Sequence, residues 1–204
     1  MAAIMEFIRL DAHMPVPVRG RYTYYTNAAE AKLDSPPGSE ARLFKLLAEI
    51  QVTGEAQGVI CAQRSRCGSY SLFLRDDRLV FVFDVPGITP AERLTCDIPP
   101  FGKHVVAVEF TRQARDTRGD ATGAVRLSVD GRPMCGAPLR TTKARFAPCG
   151  EGLCIGHDAT EATRREYAST FPLVGARVTE IVFDVAEEAF TGGGRERSPA
   201  QARH

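Results

Sequence analysis

The chain has 204 residues, of which 44% are hydrophobic and 25% charged, the composition of an ordinary globular protein. Its 26 basic residues nearly cancel 25 acidic ones, for a formal net charge of +1. That balance excludes a global attraction to nucleic acid or to anionic membranes, and no apolar stretch approaches the roughly 18 residues of a helical membrane span.

The opening MAAIMEFIRL has no basic start, and Glu6 and Arg9 interrupt it early. No secretory leader is expected, and a cytoplasmic location is the default. A reducing compartment favours free thiols for the six cysteines. Cys61, Cys96 and Cys135 sit in or beside apolar runs and read as small core residues.

In chain order, residues 1–20 read as irregular, with Pro15 and Pro17 keeping the segment extended. In Leu43–Val52 the residue types suit a helix. Yet Phe44, Leu46, Ala48, Ile50 and Val52 alternate with period two, which predicts a strand. Tyr70–Asp84, YSLFLRDDRLVFVFD, places two apolar runs around an Arg-Asp-Asp-Arg turn, a hairpin signature. Lys103–Thr111 and Arg177–Val185 are further β-rich runs. Val125, Leu127 and Val129 alternate with Arg126 and Ser128 before Asp130-Gly131, a pair suited to a type I′ turn. A short helix is expected only around Thr160–Tyr167. From about Thr191 the chain is polar and aperiodic and is expected to be disordered. The density of turns predicts an all-β protein: two antiparallel sheets packed face to face over residues 21–190.

Several stretches together resemble a known family. They are RYTYY from Arg21, GVICAQRSRCGSYSL from Gly58, GKHV from Gly102, LSVDG from Leu127, IGHD from Ile155 and Phe171–Val185. Their order and spacing are similar to those of the C-terminal accessory module of bacterial arylsulfatases. The resemblance implies a concanavalin A-like jelly roll, related in shape to laminin G domains. Arg64-Ser65, Cys67 and Gly68-Ser69 depart from the family's glycine pairs and aromatic. The sulfatase Cys-x-Pro-x-Arg arrangement is missing. The nearest string, Cys135–Arg140, has its proline one place late and follows a hairpin strand. The resemblance therefore implies a non-catalytic module that packs on a sulfatase-like partner, or a remnant of one.

Three candidate chemistries can be weighed on the residues themselves. Glu180, Asp184 and Glu187 are the obvious carboxylates for glycoside hydrolysis. Glu180 and Asp184 would share a strand face but lie about 13 Å apart along it, too far for a hydrolytic pair. Cys149, Cys154, His157 and Asp158 are the one cluster with zinc-ligand types, but the spacing is loose. No metal or cofactor is expected. The four histidines fit no nucleophile triad, GSYSL from Gly68 is no nucleophile elbow, and Arg118-Gly119-Asp120 reads as a solvated loop.

Carbohydrate binding is the alternative function, with a glycan in place of the protein partner. Tyr22, Tyr24, Tyr25 and Tyr70 offer rings, although the chain has no Trp. The expected ligand-binding set is Arg66, Tyr70, His157 and Asp158, the last also matching a turn-capping aspartate. An unrecognised glycoside hydrolase is the third reading, and it needs a deep pocket with paired carboxylates.

Overall fold

A computed structural model describes residues 20–25, 43–65, 68–84, 92–97, 101–115, 121–141, 153–158, 166–167 and 170–186. The irregular start, the polar tail and most of the short helix expected around residues 160–167 lie outside them.

The described residues form ten strands. They are β1 (Gly20–Tyr25), β2 (Leu43–Ser65), β3 (Gly68–Arg75), β4 (Arg78–Asp84) and β5 (Glu92–Asp97), then β6 (Gly102–Arg115), β7 (Ala121–Val129), β8 (Arg132–Thr141), β9 (Leu153–Ile155) and β10 (Val174–Ala186). All pairings are antiparallel. The fold is the expected all-β, jelly-roll sandwich.

Both layers share β2. Its first half pairs β10 on one side and β6 on the other, giving one sheet in the order β1-β10-β2-β6-β7-β8. From Gly58 onward it pairs β3 and β9, giving a second sheet in the order β9-β2-β3-β4-β5. The alternation at Phe44–Val52 is the start of a strand of 23 residues, much longer than the periodic stretch alone suggests.

The main core fills the space between the layers. Phe44, Leu46, Ala48 and Ile50 of β2 meet Val106, Val108 and Phe110 of β6 and Leu72, Leu74, Phe81 and Phe83 of the second sheet. Phe44 and Phe110 are register partners and stack at 5.8 Å. Such cross-strand aromatic pairs contribute roughly 0.2–1 kcal/mol beyond alanine pairs.

The two sheets differ on their outer faces. In the first, Lys45, Glu49 and Gln51 alternate with the buried residues of β2 and face outward. In the second, β3 and β4 are buried on both sides: Phe73, Val80 and Val82 are at most 3% exposed, as are Leu72 and Phe81. Continuous burial needs a second cover. It comes from Tyr167 and Phe171, which pack on Val59, Ala62, Phe73, Val80 and Val82. Backbone bonds pin this cover: Gly156 N–H to Ile60 O, Val59 N–H to Phe171 O, Leu173 N–H to Gly156 O, and a reciprocal pair between Asp158 and Thr170. The Arg93 guanidinium pairs with the Glu166 carboxylate, and Arg75 donates to the Glu166 carbonyl.

Turn chemistry follows the sequence. Asp76 and Asp77 have φ of 49° and 56°, and Asp130 and Gly131 have 51° and 78°, both as type I′ turns require. Asp130 also clamps β6. Its Oδ2 lies 2.8 Å from His104 Nδ1, and its Oδ1 accepts the Val105 N–H at 2.9 Å. Partial burial alone would raise the Asp130 carboxyl. The His104 and Val105 hydrogen bonds, with the charges of His104 and Arg132, outweigh it and hold the group below its ordinary 3.8.

Two predictions follow from this frame. Gly58 has φ of 115°, and a Cβ there would come 2.1 Å from Pro172 O. Gly58→Ala should cost about 2–5 kcal/mol in urea unfolding. Gly54→Ala, whose Cβ would find nothing nearer than 3.9 Å, should cost about 1 kcal/mol or less. A depressed folded-state value means that the Asp130 contribution is present above the unfolded value, about 3.9, and is lost as pH falls through the folded one. The Asp130 side chain is 50% exposed, so Asp130→Asn should cost only about 0.5–1 kcal/mol at pH 7. Paired melts from pH 7 to 2 should show that gap closing below about pH 4.

Candidate functional site

The residues expected to bind ligand do not assemble. Tyr70 is 2% exposed and packs inside the sandwich, 6.2 Å from the Phe81 ring. Its position on β3, between Gln63 of β2 and Phe83 of β4, turns the ring into the core, so neither face is open to stacking. Asp158 is 1% exposed. Its Oδ2 accepts the Tyr167 hydroxyl at 2.8 Å, and that hydroxyl lies 2.7 Å from Ser71 Oγ. The three form a buried polar chain beneath the cover on the second sheet. Buried polar atoms of this kind need partners, and Asp158 ties Tyr167 and Thr170 to the second sheet. His157 is exposed and its Nδ1 lies 3.1 Å from Ile155 O. Arg66 lies outside the described residues.

The zinc cluster fares similarly. Cys149 lies outside the described residues, Cys154 is half-buried, and His157 and Asp158 differ completely in burial. Among the described residues no group of three or more His, Cys, Asp or Glu could hold a metal ion.

The outer face of the first sheet gathers a different set. Tyr24 points into the core, edge-on to Phe183 at 5.8 Å. Its neighbour Tyr25 therefore points outward and is 59% exposed. Tyr25 is in register with Glu180 of β10, and Glu180 with Glu49 of β2. Adjacent strands are about 4.8 Å apart, so the row from ring to second carboxylate spans about 10 Å of open sheet.

Two carboxylates directly opposite one another repel, and the sheet compensates. A bulge between Val178 and Glu180 leaves Thr179 as the extra residue of β10. Its hydroxyl donates to Glu49 Oε1 at 2.7 Å and lies 3.2 Å from the Glu49 carbonyl oxygen. Lys103 Nζ reaches the same Oε1 at 3.1 Å. Glu49 is thereby fixed in one orientation on the sheet. The next row outward holds Arg177 and Gln51, with Lys103 in register.

The far end of this face is patterned differently. Asp184, Lys45, Glu109 and Arg126 occupy one row across β10, β2, β6 and β7. Signs alternate there, which is how a solvated sheet face stabilises its register. The acidic pair beside Tyr25 is the exception to that pattern. Sequence reasoning found Tyr25 and Glu180 but not Glu49, Thr179 or Lys103. Period-two alternation already placed Glu49 outward; its register with Glu180 could not be read.

No family model matches the chain, and no curated protein matches it. Three of the solved structures similar to it have TM-scores below 0.5. The CBM40 module of the Ruminococcus gnavus IT-sialidase, bound to α2,3-sialyllactose, has a TM-score of 0.44 at 12% identity, covering 74% of this chain and 78% of that one. Domains LG4-5 of the mouse laminin α1 chain give 0.45 at 14%, covering 88% and 46%. The NanB sialidase of Streptococcus pneumoniae gives 0.47 at 10%, covering 86% of this chain but 27% of that one. Likeness at this level assigns neither ligand nor activity to the chain.

Proposed function

We propose that the chain is a non-catalytic saccharide-binding domain whose ligand lies across the outer face of the first sheet. The observation that carries this reading is the row Tyr25–Glu180–Glu49. A sugar offers an apolar C–H face and a rim of hydroxyl donors. The exposed Tyr25 ring supplies an apolar face with a polar tip. The carboxylates of Glu180 and Glu49 are acceptors for vicinal hydroxyls, and Thr179 and Lys103 hold one of them in place before ligand arrives. Preorganisation of that kind lowers the entropic cost of binding.

Hydrolysis fits the same residues less well. A glycosidase acid must keep its proton in a shielded site. Glu49 Oε1 instead faces the Lys103 ammonium at 3.1 Å on a solvated surface. Packing on a sulfatase-like partner needs a broad apolar face. Tyr167 and Phe171 bury the outer face of β3 and β4 in the second sheet, and the first sheet carries charged rows.

The test is a titration calorimetry series against neutral and acidic oligosaccharides, with Tyr25→Ala and Glu49→Gln beside the parent chain. Tyr25→Ala should weaken binding by about two- to tenfold, given the roughly 0.5–1.5 kcal/mol of a ring contact. Its melting temperature should be almost unchanged, because the ring is exposed. Glu49→Gln should weaken binding and keep the fold. Tyr70→Phe should leave affinity untouched. Equal affinity in Tyr25→Ala, or no saccharide bound by the parent chain, would remove this assignment.

A further inference from the structure

The two layers share β2, and the path of paired strands through it ends at β5 of the second sheet and β8 of the first. Among the described residues these edges lie against each other without a ladder between them. β5 and β8 pack on one another, which puts the Cys135 sulfur beside Cys96 and the Thr95 N–H of β5. Cys96 is 6% exposed and belongs to the core; Cys135 is half-buried and packs against it. Both are free thiols. A bulge in β8 between the partners of Leu127 and Ser128 gives this edge the local bend at which a side chain is re-aimed.

We propose that Cys96 and Cys135 are a redox pair, and that a disulfide between them closes the open seam of the sandwich. With a low-molecular-weight disulfide as oxidant, the balance is simple. The more accessible Cys135 thiolate attacks one sulfur of the reagent, forming a mixed disulfide and expelling one thiolate. Cys96 then attacks the Cys135 sulfur, the new S–S bond forms, and the second reagent thiol leaves with the Cys96 proton. Two electrons pass from the two cysteines to the reagent, which ends as two thiols.

Burial governs the rate. Desolvation, the Cys135 contact and Asp97 push the Cys96 thiol up to about 12 against the opposing charge of Arg78. Burial also raises Cys135, although the Thr95 N–H and Cys96 contacts oppose it. Only thiolates attack, so the pair stays reduced through brief exposure to oxidant and closes slowly. Once formed, the link bridges a loop of about 40 residues, long enough to constrain the unfolded chain strongly.

The experiment treats the whole chain with glutathione disulfide at pH 8, blocks remaining thiols with iodoacetamide, and maps the peptides by mass spectrometry beside a thermal melt. The expected result is a linked Cys96–Cys135 peptide. A rise in Tm on the order of 10 °C should accompany it and be reversed by dithiothreitol. Cys96→Ser and Cys135→Ser should each lose both signals, and comparison of the oxidised and reduced parent chain keeps the test independent of how well the variants fold. Glutathione on Cys135 with no linked peptide would overturn the proposal. So would a linked peptide with an unchanged or lowered Tm, because the bond would then not close a native seam.

Discussion

Both layers of the sandwich hang on one crossing. β2 leaves the first sheet and enters the second near Gly58, and there the chain approaches β10 and the residues before it at backbone distance. A methyl group on Gly58 would strike Pro172 O at 2.1 Å, and one on Gly175 would strike Glu55 O at 2.0 Å. Each glycine also has positive φ, 115° and 67°, where an L side chain is strained. The two glycines therefore let the chain pass at backbone distance where β2 moves from one sheet to the other. The alternation of Phe44–Val52 fills the core only because the crossing comes where it does.

The same crossing sets the cover in motion. Residues 170–173 run past Gly58 into β10, and Val59 bonds to Phe171 within that run. Tyr167 and Phe171 stack at 5.1 Å and seal the outside of β3 and β4. The Asp158–Tyr167–Ser71 chain satisfies the polar atoms trapped beneath. One sheet is thus spent on both faces. The other keeps an outer face in water, with Lys45, Glu49 and Gln51 of β2 on it. The division of labour follows from how the chain returns, not from the composition of any strand.

Local pattern made most of the strands legible. Alternation announced β2 and β7, and Asp-Asp and Asp-Gly announced the hairpins, because period and turn preference are properties of neighbouring residues. What failed was whatever depends on register or on distant cover. Tyr70 looks like a platform beside a loop, yet only the pairing of β3 with β2 and β4 shows that it faces inward. Asp158 looks like a loop cap until Tyr167 is placed over it. Glu49 and Glu180 are 131 positions apart and become a pair through a ladder whose register includes a bulge. The unbroken apolar run of β4, LVFVF from Leu79, reads locally only as one arm of a hairpin; its burial on both faces depends on a cover that nothing nearby names.

The acidic pair beside Tyr25 also bears on the proposed choice of saccharide binding over hydrolysis at this face. Like charges held in register lower the stability of a sheet, and the neighbouring row of alternating signs shows that the fold can avoid them. Thr179, available only because β10 bulges, and Lys103 offset the repulsion at one oxygen of Glu49. That arrangement leaves the Glu49 carboxylate aimed, beside a cation and on a water-facing surface. Proton transfer to a glycosidic oxygen asks for the reverse, an acid removed from water and from cations. Hydroxyl recognition asks only for fixed acceptors beside an apolar ring, and those are what β1, β10 and β2 bring into one row.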